Sequence, residues 1–531
     1  MAFLTARGLL VTVDVPVDPR LEITAICRRL LATQGPAVLF TRVMGHEIPV
    51  LANLFCTEER VGLAMGRQVE ELEGLGQLLA ALRQPEAPRG LRDARDLLFR
   101  LARARHMPVK TIARPPCREV VWEGHEVDLS RLPIQTCWPK DAAPLITWGV
   151  VITRGVTGGP VNLGVYRMQV LDRRRVIMRW LAHRGGAQHM REYKGRLMPV
   201  SVVIGCDPGT LLAAVTPVPE TLSEYAFAGL LRERRVECAP AYPPYPPVPA
   251  YAEIVLEGMV NPEELADEGP FGDHTGYYND IEPFPVLTVE RITTRRNPVY
   301  LSTFTGRPPD EPAILALALN RVFTPLLKKQ YPEIRGFHLP MEACSYRVAV
   351  VGLDKGYPGH AFRVMTGIWG FLRQFLYVKY IFVVDGDLPV GDWSAVMRAV
   401  ERHVHGGRDI QILKNTPIDY LDFSSPLPGL GGKMGVDATT KLEVERAAAL
   451  VQAPLNRCDN WLTSVQEQCP FVVDGFASPG GRMSVIRVEG GQLGRGRQAI
   501  DAVRQVVPPG GGADQLWVVD ADTQVDSMAD L

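Results

Sequence analysis

Two acids, Glu268 and Asp273, stand in the stretch EGPFGDHTGYYND, among Gly269, Pro270, Gly272 and Gly276 and just ahead of Tyr277 and Tyr278. Glycine, proline and aspartate together satisfy the geometry of an ordinary surface turn. A carboxylate pair held in a turn has a second use, because one acid tuned by its surroundings can move a proton. Upstream, NLGVYRMQVLDRRRVIMRWLAHRGG gathers Asn162, Arg167, Arg179, His183 and Arg184 around Gly164, Gly185 and Gly186. Asparagine and histidine with a distant carboxylate can complete an oxygen and nitrogen site for Mn2+ or Mg2+. Arginines beside glycines suit a phosphate, through bidentate contacts and close backbone approach. The plainer alternative is a hydrogen-bonded structural histidine and a solvated arginine turn at Arg173–Arg175.

The elements that must position these residues differ along the chain. VDPRLEITAICRRLLATQGP has a proline-led start, helical apolar spacing and a glycine stop, which predicts an amphipathic helix between the short strands AVLFTRV and PVLANLF. Residues 60–106 are charged and helix-rich, and the proline pair in RPPC (114–117) suggests a boundary. From 118 to 310 the texture becomes short, β-branched, alternating strands with glycine and proline between them: TWGVVITRG, VNLGVYRMQVLD, RVIMRWLA, MPVSVVIG, YAEIVLEGMV and FPVLTVERITT. Such a series predicts a barrel or sandwich, with one helical exception in TLSEYAFAGLLRER. The proline-rich APAYPPYPPVPAY (239–251) reads as a rigid surface connector. From 311 onward, YRVAVVGL, GHAFRVMTGIWGFLRQFLYV and KYIFVVDGD predict a βαβ unit and a parallel sheet. Residues 483–522 lie over this unit without a gap, aligning Gly356 with Gly491, Asp385 with Asp520 and Asp387 with Asp522, the pattern of a partial duplication within 483–531.

Composition limits the partners. With 58 basic and 59 acidic residues in 531, the charge balance gives no electrostatic case for nucleic acid. The nine cysteines are scattered without a CxxC pair, as in a reducing compartment, which argues against structural zinc. The start, MAFLTARGLLVTVDVPVDPR, reads as a strand leading to a turn rather than a signal peptide. No run of apolar residues is long enough to span a bilayer. The expected location is cytoplasmic, at most peripheral on the cytoplasmic membrane face.

NLGVYRMQV, RWLAHRGG, AVTPVPETLSEYAFAGLL, EGPFGDHTGYYND, TGRPPDEPA and NTPIDYLDFSSPLPGLGGKMGVDAT resemble the UbiD family of decarboxylases, in order and near-continuously from about residue 15 to 441. Within the family the resemblance is closest to the group acting on 3-polyprenyl-4-hydroxybenzoate in ubiquinone biosynthesis. It implies an α+β multidomain chain: an N-terminal α/β domain (1–117), a central flavin-binding split β-barrel (118–310) and a C-terminal α/β domain (311–531). It also implies prenylated FMN as cofactor, supplied by a flavin prenyltransferase, with its phosphate anchored by Mn2+ or another divalent cation and by K+. By position, Asn162, His183 and Glu224 would be the metal ligands. Val165, Tyr166, Arg167, Arg179, Trp180, Leu181, Arg184 and Gly185 would line the cofactor. Arg167, Glu268 and Asp273 would form the catalytic network, with Asp273 the proton donor, Glu268 its partner and Arg167 holding the substrate carboxylate.

Physical chemistry supports such an arrangement. Loss of CO2 from an aromatic ring leaves electron density that needs a cofactor as its sink. The ring carbon then needs one proton. An acid beside an apolar wall keeps its proton because desolvation raises its pKa, while Arg167 opposes that shift. The expected product is 2-polyprenylphenol, with decarboxylation of a smaller aromatic or acrylic acid as the alternative. A flavin-dependent oxidoreductase lacks the GxGxxG expected after a strand, and a binding protein without activity would not need all three of Arg167, Glu268 and Asp273. Family members assemble as homo-oligomers using C-terminal elements. Here the initial helix looks abbreviated, and after Lys441 the usual helical tail gives way to the βαβ echo.

Overall fold

Apolar residues in LVTV and AVLF make the first two strands of the computed structural model, Leu10–Val13 and Ala37–Phe40, which pair in parallel. The amphipathic helix Glu22–Ala32 connects them and buries Ile23, Cys27 and Leu31 on one face. Val50–Ala52 pairs antiparallel to the second strand, and the much later Tyr300–Leu301 closes this four-stranded sheet in parallel. Ahead of the first strand the expectation of extended chain is corrected. Ala2–Ala6 forms a short helix that buries no side chain, so its apolar residues serve neither a strand nor the core. The structure describes residues 1–84, 90, 91, 95, 102–181, 184–216, 222–344, 347–371, 373–447, 460–477, 483–490, 494–506, 515–521 and 523.

The central region is a nine-stranded, wholly antiparallel sheet, the split barrel of an α+β multidomain chain. Its backbone is the long hairpin Ile254–Glu268 with Glu282–Thr294, paired from Ile254↔Thr294 to Glu268↔Glu282. VNLGVYRMQV is two strands rather than one, Val161–Val165 and Met168–Val170, with Tyr166 and Arg167 in the break. Beside the expected helix, Glu224–Arg232, stand two that strand-like patterning conceals, Gly185–Tyr193 and Pro208–Val215. The proline-rich segment is also corrected. Tyr245, Val248 and Ala250 are buried, and the carbonyls of Pro246 and Pro247 accept from Ser201 Oγ and Tyr225 Oη at 3.1 and 2.9 Å. Its prolines cannot donate, but their carbonyls satisfy buried hydroxyls.

Two compact units make up the chain, Met1–Leu326 and Leu327–Leu531. The second contains a mixed five-stranded sheet in which Val348–Leu353 and Tyr380–Asp385 run parallel, joined through the helix His360–Phe371. The echo has a structural counterpart. Met483–Val488 and Gln515–Asp520 also run parallel, joined through Arg495–Val506, another 12-residue helix. Even the pairing corresponds: Leu353↔Asp385 in the first βαβ segment and Val488↔Asp520 in its echo. Gly491 and Asp522 of the echo lie outside the described residues. Val465, Val472, Ile486, Ala499 and Val503 form the core of this second unit, and Trp517 packs instead on the cluster of Val350, Phe382 and Val436. No helix among the described residues is long and apolar enough to cross a membrane.

Candidate active site

The central hairpin brings its two ends together where Glu268 pairs with Glu282, and the connecting loop 269–281 carries Asp273. The loop is tightly organised. Asp273 N donates to the Tyr277 carbonyl at 3.1 Å and Gly276 N to the Asp273 carbonyl at 2.9 Å, with Gly276 at φ +80°, a conformation that favours glycine. Phe271 N donates to Asn279 Oδ1 at 2.9 Å and Asn279 N returns a bond to the Phe271 carbonyl at 3.1 Å. Gly272 is required for another reason, since a Cβ there would run into the Trp138 indole. The turn chemistry of this loop therefore serves a fixed site.

Arg167, in the break between two strands, reaches both acids. Its Nε and one terminal nitrogen grip Glu268 at 2.6 and 3.0 Å, and the other terminal nitrogen donates to Asp273 Oδ2. Arg179 adds a bond to Glu268 at 2.7 Å. Phe271 and Phe284 lie beside the two guanidinium groups, at 5.3 and 5.1 Å from their ring centroids. Glu268 is fully buried and Asp273 nearly so. Two buried cations and two buried anions thus cancel within one hydrogen-bonded group. Removing one partner of such a set typically costs about 3–5 kcal/mol.

The direction of the Asp273 shift differs from the sequence expectation. Burial pushes its pKa up, but the Arg167 charge and the His274 hydrogen bonds outweigh burial and hold it well below the ordinary carboxylate range. A folded-state pKa below the unfolded value means that ionised Asp273 stabilises the fold at neutral pH. That contribution is lost as pH falls through its folded value. Arg167 shifts upward: burial acts against its charge, but Asp273 and Glu268 prevail. At rest, therefore, Asp273 is a carboxylate.

Around this network, the residues expected to line a cofactor fall together. Val165 ends the strand Val161–Val165, Tyr166 and Arg167 follow it, and Arg179, Trp180 and Leu181 follow Arg175–Met178. Arg184 caps the helix Gly185–Tyr193. A Cβ on Gly185 would collide with the Asn162 amide, and one on Gly186 with the Trp180 indole. Tyr166 and Trp180 meet edge to face, with ring centroids 6.3 Å apart. Asn162 Nδ2 and Trp180 Nε1 are buried without a hydrogen-bond partner, and buried donors of that kind need one. Next to Asn162, Leu163 N donates to Glu224 Oε2 at 3.0 Å. Burial raises the Glu224 carboxyl to about 7, despite hydrogen bonds from Leu163 N and its own N–H. A glycine-lined helix start, unpaired donors and a buried carboxylate fit a phosphate accompanied by a hard cation. His183, the remaining expected ligand, lies outside the described residues, among which no group of three His, Cys, Asp or Glu side chains could hold a metal.

Several positioning contacts were invisible in the sequence. Asp141, in CWPKDAAP, accepts from Gly272 N at 3.0 Å through one oxygen, and from Cys137 N and Trp138 N at 3.0 and 2.8 Å through the other. Ala142 N also donates to the Pro270 carbonyl at 3.0 Å. Gln169 accepts from Gly269 N at 2.9 Å. Aspartate in a proline-bearing turn is the only signal Asp141 gives, and it does not name its distant partner. A separate cavity of about 650 Å3, lined by residues including Lys355, Asp385, Thr440 and Lys441, belongs to the second unit. Both lysines there are already paired with Asp437 at 3.1 Å.

Sequence models of three UbiD domains match in order. The 3-octaprenyl-4-hydroxybenzoate carboxy-lyase N-terminal domain covers 1–79, the Rift-related domain 110–308 and the C-terminal domain 313–438. Among solved structures, the UbiD-class enzyme HmfF from Pelotomaculum thermopropionicum, in complex with FMN, is 29% identical with a TM-score of 0.70, covering 85% of this chain and 96% of its own. An evolved dimeric form of HmfF in complex with prenylated FMN is likewise 29% identical, with a TM-score of 0.68, covering 83% of this chain and 94% of its own. The vanillic acid decarboxylase of Sedimentibacter hydroxybenzoicus, in closed form, is 26% identical with a TM-score of 0.72, covering 88% and 97%. The chain belongs to the UbiD family. It is a decarboxylase, a carbon–carbon lyase that releases CO2.

Asp141→Ala frees three backbone N–H groups, one of them in the catalytic loop. Losing such buried bonds should lower stability by about 1–3 kcal/mol. Urea unfolding measures the loss, and hydrogen exchange should quicken at Gly272; unchanged exchange there would show that Asp141 does not pin the loop.

Proposed function

We propose that this chain removes CO2 from an aromatic acid with prenylated FMN as cofactor, Arg167, Glu268 and Asp273 forming the catalytic group. The observation that carries the reading is the single guanidinium of Arg167 shared between two buried carboxylates. When bound, the modified flavin supplies the electron sink that a departing CO2 requires. Val165, Tyr166, Arg167, Arg179, Trp180, Leu181, Arg184 and Gly185 line its site, and Asn162, His183 and Glu224 hold a divalent cation, Mn2+ by preference, beside the phosphate, with K+ completing the anchor. The unpaired Asn162 amide and the unneutralised Glu224 carboxylate support that assignment.

Arg167 binds the incoming substrate carboxylate. Its charge is then shared, so its hold on Asp273 weakens and burial regains influence over the Asp273 carboxyl. Asp273 takes up a proton and delivers it to the ring carbon that lost CO2. Glu268, gripped by Arg167 and Arg179 through both oxygens, keeps Arg167 in place.

For the substrate, the order and continuity of the ubiquinone-group motifs favour 3-polyprenyl-4-hydroxybenzoate, converted to 2-polyprenylphenol. Such a lipid-borne acid would bring the enzyme to a membrane surface. The likeness to a vanillic acid decarboxylase favours a second reading, a smaller aromatic or acrylic acid. A flavin prenyltransferase is the cofactor supplier, and the dimeric HmfF supports self-association. Comparing turnover of both acid classes after co-expression with the prenyltransferase separates the two substrates.

Glu224→Ala and His183→Ala should fold but lose bound metal and most of the flavin. Elemental analysis and absorbance measure this, and contents equal to wild type would reject the ligand set. Asp273→Asn keeps the side-chain shape and removes the acid. Turnover should fall by at least about 10²–10⁴-fold, the usual worth of a general acid, with flavin retained. In D2O the wild type should place one deuterium on the ring carbon that lost CO2. Near-normal turnover by Asp273→Asn would remove it from the mechanism.

A further inference from the structure

A carboxylate that is ionised at rest must be loaded with a proton before it can give one, and the network shows where that proton cannot come from. Glu268 offers only acceptor oxygens, both engaged by guanidinium N–H groups. Arg167 and Arg179 do not deprotonate in proteins. Asp273 is itself shielded, its side chain only 8% exposed. Its oxygens are divided between partners. Oδ2 faces Arg167, whereas Oδ1 accepts from the His274 backbone N–H at 2.8 Å and lies 2.9 Å from His274 Nδ1. The imidazole is half-buried, with 16% of its side chain reaching solvent. Among the described residues it is thus a titratable group that touches Asp273 and also reaches solvent.

We propose that His274 supplies Asp273 with its proton, carrying it from solvent to Oδ1 once per turnover. The proposal rests on the decarboxylase reading and deepens it, because it assigns the source of the proton that replaces CO2. The imidazolium gives its Nδ1 proton to Asp273 Oδ1 and becomes neutral imidazole. Asp273 passes that proton to the ring carbon, and water re-protonates the imidazole, so one solvent proton enters for each CO2 that leaves. His274 acts through Asp273 and not on the substrate.

Histidine suits this task, since its ordinary pKa of about 6.5 lets it accept and release protons near neutral pH. Charged groups around it among the described residues include Asp273 with Arg167 behind it, and Asp310 just ahead of the helix Glu311–Gln330. Arg307, ahead of Asp310 in sequence, packs by the Gly276 turn, its stem 3.5 Å from where a Cβ on Gly276 would stand. Asp310 is anchored by Gly306 N and Ala313 N at 3.2 and 2.9 Å, and burial raises its carboxyl to about 6.

Two variants separate relay from support. His274→Asn keeps a hydrogen-bond donor near the Nδ1 position without a group that titrates, and His274→Ala opens space for a small base. With holoenzyme and an acid the wild type decarboxylates, kcat of His274→Asn should fall at least about 10-fold, as for other proton-transfer groups, with KM nearly unchanged. Its kcat should also lose the pH step that the wild type shows near neutrality. Imidazole added to His274→Ala should restore rate in a saturable way. An activity-independent readout uses cofactor-free protein, in which the His274 imidazole should titrate at lower pH in Asp273→Asn than in wild type. His274→Asn turning over like wild type, no rescue by imidazole, or an unmoved imidazole titration would each overturn the relay. A wild type inert toward every aromatic and acrylic acid would instead overturn the decarboxylation reading on which it rests.

Discussion

The charge of Arg167 is the constraint to which the catalytic region is built. One guanidinium cannot reach Glu268 and Asp273 together unless the strand that carries it breaks at Tyr166–Arg167 and the hairpin opposite closes at Glu268↔Glu282. Neither acid could be buried as deeply without it, because an unpaired carboxylate removed from water costs several kcal/mol. Arg179 is needed in turn, since one cation would leave the pair with net negative charge. Phe271 and Phe284 complete the enclosure, offering ring faces to the same two cations. Sheet, loop and aromatic wall are consequences of one electrostatic balance.

That balance decides the resting protonation state. Burial and charge compete at Asp273, and the Arg167 charge together with the His274 hydrogen bonds outweighs burial. In the proposed mechanism the proton donor is therefore made during the cycle, when the substrate carboxylate claims part of Arg167. Asp141 and Gln169 keep the loop from drifting while the charges rearrange, because each accepts a backbone N–H of the loop directly. Glu224 is the contrasting case. With no cation paired with it among the described residues, burial prevails and raises its carboxyl to about 7.

What could be read from the sequence followed periodicity and motif. Alternation in MPVSVVIG and YAEIVLEGMV announced their strands, and the spacing in EITAICRRLLA announced its helix. The three textures along the chain match its family's domains because each texture reflects a different burial pattern. The resemblance brought Arg167, Glu268 and Asp273 together, and the geometry joins them. The misses have physical causes. Gly185–Tyr193 begins with two glycines, poor helix formers, so its helical pattern was masked. Proline richness signalled exposure at 239–251, yet carbonyls that satisfy buried hydroxyls let half of that segment enter the core. Asp141 carries no local mark of its role, since its partner Gly272 is distant in sequence. The sign of the Asp273 shift was missed for a similar reason: it depends on a contact distance, and no spacing of residues encodes one.

The ionisation state of Asp273 without substrate tests this account most directly. Carboxyl-stretch infrared difference spectra of the cofactor-free protein, with Asp273→Asn as the reference, isolate this one group. An ionised carboxylate at every pH from about 5 to 8, well above the ordinary aspartate value near 4, is the result the account predicts. A protonated Asp273 carboxyl titrating near neutrality would mean that burial overrides Arg167, and would contradict it.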